Sequence, residues 1–165
     1  MCREKRIPVH IYSREDIEKI YPENLFKDKV VISFYDPEPH YNGPTYSPVD
    51  YSKIVDKVFN IPLRDIDIEI LPDYNLTYET YFPEVEELAK FIYVAVENRY
   101  DIICQCEFGQ SRSAGCAAAI REHFYGDGIR IFADYRYYPN QMVYHKVYDA
   151  LNAEKARRTG LKTDA

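Results

Sequence analysis

Apolar residues recur along this chain in two periods, and the changes between them mark out the elements. Residues 8–12 form a short apolar and aromatic run that predicts a strand. Ser13, with Asp16 three residues later, has the form of a helix start, predicting a short helix through Ile20 with its carboxylates in the first turn. VVISFY, residues 30–35, is β-branched and aromatic, of strand length, and closed by Asp36 and Pro37. A loop rich in Pro, Asn and Gly follows at 36–48, then a second strand at 57–63 that feeds an acidic loop, RDIDIEILPDYN. From Thr80 the period lengthens. Phe82, Val85, Leu88, Ala89, Ile92, Tyr93 and Val96 recur at helical spacing through Glu97, with Pro83 tolerated as a first-turn residue. A short apolar strand at 101–105, a helix at 113–125 stopped by Gly126, and a last helix from Asn140 to Arg158 complete the order. Strands separated by crossover helices predict an α/β fold: a central, mostly parallel twisted sheet flanked by helices.

Composition narrows this picture. The chain has 165 residues, of which 46% are hydrophobic, enough for one domain over 1–165 with a buried core. A net charge of −6 argues against nucleic acid or anionic lipid as a partner, since both are bound through clustered cations. No apolar run reaches signal-peptide or membrane-spanning length, so the expected location is the cytoplasm. The four cysteines, at 2, 104, 106 and 116, are not spread as a disulfide framework, which agrees with a reducing compartment.

The candidate chemistry lies in CQCEFGQSRSAG, residues 104–115, at a strand end, a tight loop and a helix start. A helix start offers unpaired N–H groups and the positive end of a dipole, which together favour an anion such as phosphate. Gly109 can take backbone angles that turn successive N–H groups inward. A cysteine at position 106 would be held as thiolate by those amides, the dipole and Arg112, six residues on. The Arg112 fork can hold two phosphoryl oxygens at once.

The C-x5-R interval followed by Ser113 resembles the active-site loop of the cysteine-dependent protein tyrosine phosphatases, closest to the compact dual-specificity type. FNIPLRD, TYFPEVEELAKFI, IICQCEFGQSRSAG and YYPNQMVYHKVYDAL stand in the order that family uses, so the resemblance is strongest over 30–151. It implies Cys106 as nucleophile, Arg112 with the amides of Glu107, Phe108, Gly109, Gln110 and Ser111 as the phosphate cradle, and Ser113 as the residue that helps the sulfur leave. It also implies an aspartate as general acid. Asp65 matches the strand-end position, and Asp67 and Asp73 are the alternatives, because the interval before Cys106 is longer than usual, the excess lying in IDIEILPDYNLT. Gln105 stands where the family has His, and Asn140 belongs to the Pro-Asn pair before the last helix; both are expected to support the site. No metal or cofactor is required.

The implied partner is a phosphorylated protein or peptide, or a small aryl phosphate. Phosphotyrosine is favoured because the loop has no lysine, and Glu107 disfavours a highly anionic inositol. Tyr41 and Tyr46 are candidates to wall a pocket for a phenyl ring. Two other functions are compatible with the residues. One is a phosphate-binding module without turnover, suggested by Gln105. The other is a thiol redox enzyme of arsenate-reductase type, suggested by Cys104 and Cys116 near Cys106, although a one-residue separation along a strand is poor disulfide geometry. The remaining groups have structural readings. Cys104 and Cys116 are expected as buried apolar residues, and because the C-x-C spacing lacks the C-x2-C turn of usual zinc sites, no zinc site with Cys106 and His123 is expected. His10, His40 and His145 are expected at the surface or locally satisfied, and Glu84, Glu86 and Glu87 on a solvated helix face.

Overall fold

Residues 5–19, 28–37, 47–52, 54–55 and 57–160 are described by the computed structural model. Four strands, β1 (Val9–Ser13), β2 (Lys29–Tyr35), β3 (Val58–Pro62) and β4 (Asp101–Cys106), form one sheet in the order β1-β4-β2-β3. All three pairings are parallel. The helices are α1 (Arg14–Lys19), α2 (Val85–Glu97), α3 (Arg112–Tyr125), α4 (Ile129–Phe132) and α5 (Gln141–Arg158), with a 3-10 helix at Ile68–Tyr74. The α/β class with a parallel sheet flanked by helices is the one the sequence predicts.

Strand alternation sorts the core into two layers. Val30, Ile32 and Phe34 of β2, with Ile102, Cys104 and Cys106 of β4, face the larger core formed with α2, α3 and α5. Val31 and Ile103 face the other side, against Ile17 of α1 and the segment carrying Val49 and Tyr51. Side chains two residues apart share a face, so Ser33 and Gln105 belong to the second layer, while Cys106 lies under α3. That helix comes close to its neighbours because Ala114, Gly115 and Ala117 to Ala119 are small and buried. A Cβ on Gly115 would meet the carbonyl oxygen of Asn140 at 2.5 Å, which fixes the start of α5 against the first turn of α3.

The helix start at Ser13 has its capping hydrogen bonds: the Asp16 N–H donates to Ser13 Oγ (3.0 Å) and the Ser13 N–H to Asp16 Oδ2 (3.4 Å). Gly126 ends α3 in the left-handed conformation, φ 68°, and the Asn140 side chain accepts from Val143 N to cap α5. The helix expected from Thr80 begins five residues later. Phe82 is buried with φ 64°, a left-handed conformation that interrupts the helical run, so Pro83 precedes α2 rather than sitting in its first turn. The acidic segment expected as a loop contains the 3-10 helix, with Leu71 as its buried anchor. The four-residue α4 is absent from the sequence reading, being too short to show a period. Among the described residues no helix is long and apolar enough to cross a membrane.

Candidate active site

At the carboxyl end of β4 the chain turns sharply into α3. Gly109 sits there with φ 65°, and a Cβ on it would stand 2.7 Å from the Ser13 amide nitrogen, so the loop is pressed against the end of β1. Three loop carbonyls are bonded from outside: Glu107 O by Arg14 N (3.0 Å), Gln110 O by Tyr138 N (2.8 Å), and Ser111 O by Asn140 N (3.0 Å) and Gly115 N (2.8 Å). None of the amide N–H groups from Glu107 to Arg112 has a hydrogen-bond partner among the described residues. A loop with its carbonyls engaged and its amides open is built to receive an acceptor.

Cys106 is 2% exposed, and its Sγ lies 3.0 Å from Ser113 Oγ. Arg112 is also buried. Its Nη1 donates to Asp36 Oδ1 (3.0 Å) and Leu63 O (2.6 Å), whereas its buried Nε has no partner among the described residues. A buried guanidinium N–H left open is costly unless something occupies it. The orphan donor and the open amides belong to one six-residue stretch, Glu107 to Arg112, and both ask for an anion.

The three candidate aspartates separate clearly. Asp65 lies beyond β3, and its Oδ1 accepts from Ser111 Oγ (2.6 Å) and Asn140 Nδ2 (2.9 Å), which brings it to the loop. Asn140 Nδ2 also donates to Ile66 O (3.1 Å), while its Oδ1 caps α5, so one side chain ties the aspartate segment to the helix. Asp67 precedes the 3-10 helix and Asp73 lies within it; both are exposed, and neither carboxylate has a hydrogen bond among the described residues. Tyr81 underlies this segment, its hydroxyl donating to Arg64 O (2.6 Å) and held well above its ordinary pKa by burial.

Gln105 is buried on the opposite face from Cys106. Its Oε1 accepts from Ser33 Oγ (2.5 Å) and Tyr51 Oη (2.8 Å), and its Nε2 has no partner among the described residues. It therefore bridges two hydroxyls in the second core layer. Burial raises the Tyr51 pKa far above normal, so this hydroxyl stays a donor. Glu107 is turned to Arg14: Arg14 Nε donates to Glu107 Oε2 (2.9 Å), and the same arginine reaches Ser47 O and lies 3.5 Å from Glu18. The negative charge expected to repel anionic ligands is thus paired at the base of the loop.

Phe108 in the loop is 73% exposed, as is the adjoining Tyr138, whose amide holds the Gln110 carbonyl. Tyr41, Tyr46 and His40 lie outside the described residues. Cys104 and Cys116 are fully buried neighbours, and burial with the adjacent Cys116 raises the Cys104 pKa well above normal. Among the described residues no cluster of His, Cys, Asp and Glu could hold a metal ion. His145 is exposed and His10 half-buried, its Nε2 3.9 Å from Asp101. Glu86 and Glu87 are exposed as expected, but Glu84 is half-buried, with one carboxylate oxygen unpartnered among the described residues. Sequence reasoning missed Asp36, Arg14, Ser33 and Tyr51. The only signal for Asp36 was its place at a strand end.

No protein-family model and no curated protein matches the chain. Solved structures do. A single-substitution variant of human DUSP28, a dual-specificity phosphatase, aligns with TM-score 0.52 at 15% identity, covering 90% of this chain and 92% of that one. Unsubstituted human DUSP28 aligns with TM-score 0.47 at 13% identity, covering 90% and 94%. The first alignment establishes a fold of the dual-specificity phosphatase type.

Proposed function

We propose that the chain is a cysteine-dependent phosphatase of phosphorylated proteins, acting on phosphotyrosine through a phosphocysteine intermediate. The observation that carries this reading is the set of open donors around Cys106: six loop amides and the buried Arg112 Nε, with no partner among the described residues. Phosphoryl transfer depends on in-line positioning and charge stabilisation, which such donors supply.

In the first step the Cys106 thiolate attacks phosphorus while the amides of Glu107 to Arg112 and the Arg112 side chain hold the equatorial oxygens. The bond from phosphorus to the tyrosyl oxygen breaks, and Asp65, brought to the loop by Ser111 and Asn140, gives that oxygen its proton. In the second step water attacks the phosphocysteine. Its proton passes to the Asp65 carboxylate, and the sulfur leaves as thiolate, hydrogen-bonded by the Ser113 hydroxyl 3.0 Å away. No metal or cofactor enters either step. Phe108 and Tyr138, exposed at the loop, are further candidates to wall a pocket for a phenyl ring. The pairing of Glu107 with Arg14 lowers the barrier it would set against anions, so the preference for phosphotyrosine rests on the absence of lysine from the loop.

One observation favours a second reading. Gln105 is buried and neutral where the family resemblance has His, which suits a module that binds phosphate without turnover. Hydrolysis of an aryl phosphate by wild type and by Cys106→Ser separates the two. The phosphatase reading expects turnover in the wild type, its loss in Cys106→Ser, and phosphate binding in both. Binding without wild-type turnover selects the module, and turnover that survives in purified Cys106→Ser rejects the assigned nucleophile.

A further inference from the structure

Among the described residues β1 ends the sheet, and its outer edge is open in its middle. Ile102 N donates to Pro8 O, and with Val9 opposite Ile102 and Ile11 opposite Cys104 this parallel register turns the N–H and C=O groups of His10 and Tyr12 toward β4. Those of Val9 and Ile11 therefore point away from the sheet. At either end of the strand the outward N–H is satisfied within the chain: Ile7 N donates to Tyr125 Oη (2.7 Å) and Ser13 N to Asp16 Oδ2 (3.4 Å). Between them, Val9 and Ile11 have no outward hydrogen bond among the described residues.

This open stretch is one wall of a groove of about 360 Å³ whose other wall is Arg121, Arg130, Ile131, Asp134, Arg136 and Tyr137. Three arginines against one aspartate give that wall a charge of about +2 in a chain whose net charge is −6. Arg130 is exposed and has no ion pair among the described residues, whereas Arg121 and Arg136 are paired with Asp127 and Asp134. An open strand edge pairs with another extended chain, and main-chain bonds supply the attachment while flanking side chains choose the partner. A second copy of this protein would bring two arginine walls together, so like charge disfavours self-pairing.

We infer that the groove beside β1 is a docking site for an extended acidic peptide, which adds a strand along Val9 to Tyr12 and sets its carboxylates against Arg130 and its neighbours. The groove does not include Cys106, although the far end of β1 adjoins the loop at Gly109, and the inference does not depend on the phosphatase reading.

The test uses a capped peptide of alternating glutamate and valine, roughly seven residues long, a usual strand length. Controls are its lysine counterpart and a copy N-methylated at alternate residues. Binding to the full chain is followed by amide chemical shifts and by titration. The expected result is binding of the glutamate peptide with the largest shifts at the Val9 and Ile11 amides. N-methylation or the lysine exchange should weaken it by about tenfold or more, and so should Arg130→Glu with Arg136→Glu. The Arg130→Glu variant should hydrolyse a small aryl phosphate at the wild-type rate, and Cys106→Ser should bind the peptide normally. Equal binding of the N-methylated or lysine peptide, shifts centred elsewhere, no binding, or dimerisation through β1 would each overturn the inference.

Discussion

Arg112 is held by Asp36 across 3.0 Å, with both side chains nearly buried, and the arginine Nε beside this contact has no partner among the described residues. The pair joins the end of β2 to the start of α3, two elements that sequence order keeps 76 residues apart.

Asp36 therefore positions Arg112. Asp36→Ala should destabilise the protein by ~3–5 kcal/mol, since it leaves a buried guanidinium without its carboxylate. Asp36→Asn retains an acceptor and should lose less stability while lowering kcat and raising KM together. Denaturation midpoints and steady-state kinetics on an aryl phosphate check both. A wild-type kcat in Asp36→Asn would mean that Leu63 O alone orients the arginine.

Gln105 joins Ser33 and Tyr51 in one buried polar cluster. Gln105→Leu would strand both hydroxyls in the second core layer, and each unsatisfied buried group costs ~1–3 kcal/mol. Urea denaturation should show a loss in that range or above. Gln105→Leu combined with Ser33→Ala and Tyr51→Phe should recover part of it, because the polar partners are then removed together.

His123 gives the stability a pH dependence. Its Nδ1 lies 2.9 Å from Asn152 Oδ1, which can only accept, so Nδ1 carries the proton and Nε2 accepts from Tyr93 Oη (2.5 Å) in the neutral ring. Burial lowers its pKa below the ordinary 6.5, outweighing the opposing Asn152 hydrogen bond. The unfolded chain then takes up a proton before the folded one does. Stability is full above pH 6.5 and declines as pH falls from there through the folded pKa. His10, also lowered by burial first, acts in the same direction. Midpoints measured from pH 8 to pH 5 should show this decline, and His123→Phe should shallow it; an unchanged slope would assign the whole effect to other groups.

Gly115 is a packing requirement of the site. Its absent Cβ leaves room for the Asn140 carbonyl, which a methyl group would approach to 2.5 Å. The three nearest atoms are all Asn140 backbone, so Gly115→Ala must separate α3 from the start of α5. A loss of ~1–3 kcal/mol is expected, the range for overpacking, with weaker phosphate binding because Asn140 N also holds Ser111 O. Thermal melts with and without phosphate measure both effects.

What was legible in the sequence is what local physics determines. The β-branched run of β2, the cap at Ser13, the stop at Gly126 and the loop between β4 and α3 each rest on neighbouring residues. The start of α2 was misplaced because a helical period cannot reveal that Phe82 takes a left-handed conformation, which its burial in the core enforces. Partners distant in sequence were invisible for another reason. Arg14 meets Glu107 across 93 positions and Asp36 meets Arg112 across 76, and one chain alone carries no record of such pairings. Asp65 stood between these cases: the strand end suggested it, and only the fold brings Ser111 and Asn140 to its carboxylate.

That contact leads to the test of the proton donor. If Asp65 protonates the leaving oxygen, Asp65→Asn should slow aryl phosphates with poor leaving groups far more than those with good ones, because only a basic departing oxygen needs a proton in the transition state. Asp67→Asn and Asp73→Asn should show small losses equal for both substrate types, since neither carboxylate reaches the loop through a hydrogen bond among the described residues. Asn140→Ala adds an independent arm. It removes the Nδ2 donor to Asp65 and the Oδ1 cap on α5, so it should cost ~1 kcal/mol of stability and reproduce part of the leaving-group dependence. Asn140→Asp keeps a capping oxygen but sets a carboxylate against Asp65, so it should hold the helix while impairing the acid. A leaving-group effect that follows Asp67 or Asp73 would move the acid into the segment after β3, and an Asn140→Asp variant with wild-type rates on poor leaving groups would remove Asn140 from the proton-transfer assembly.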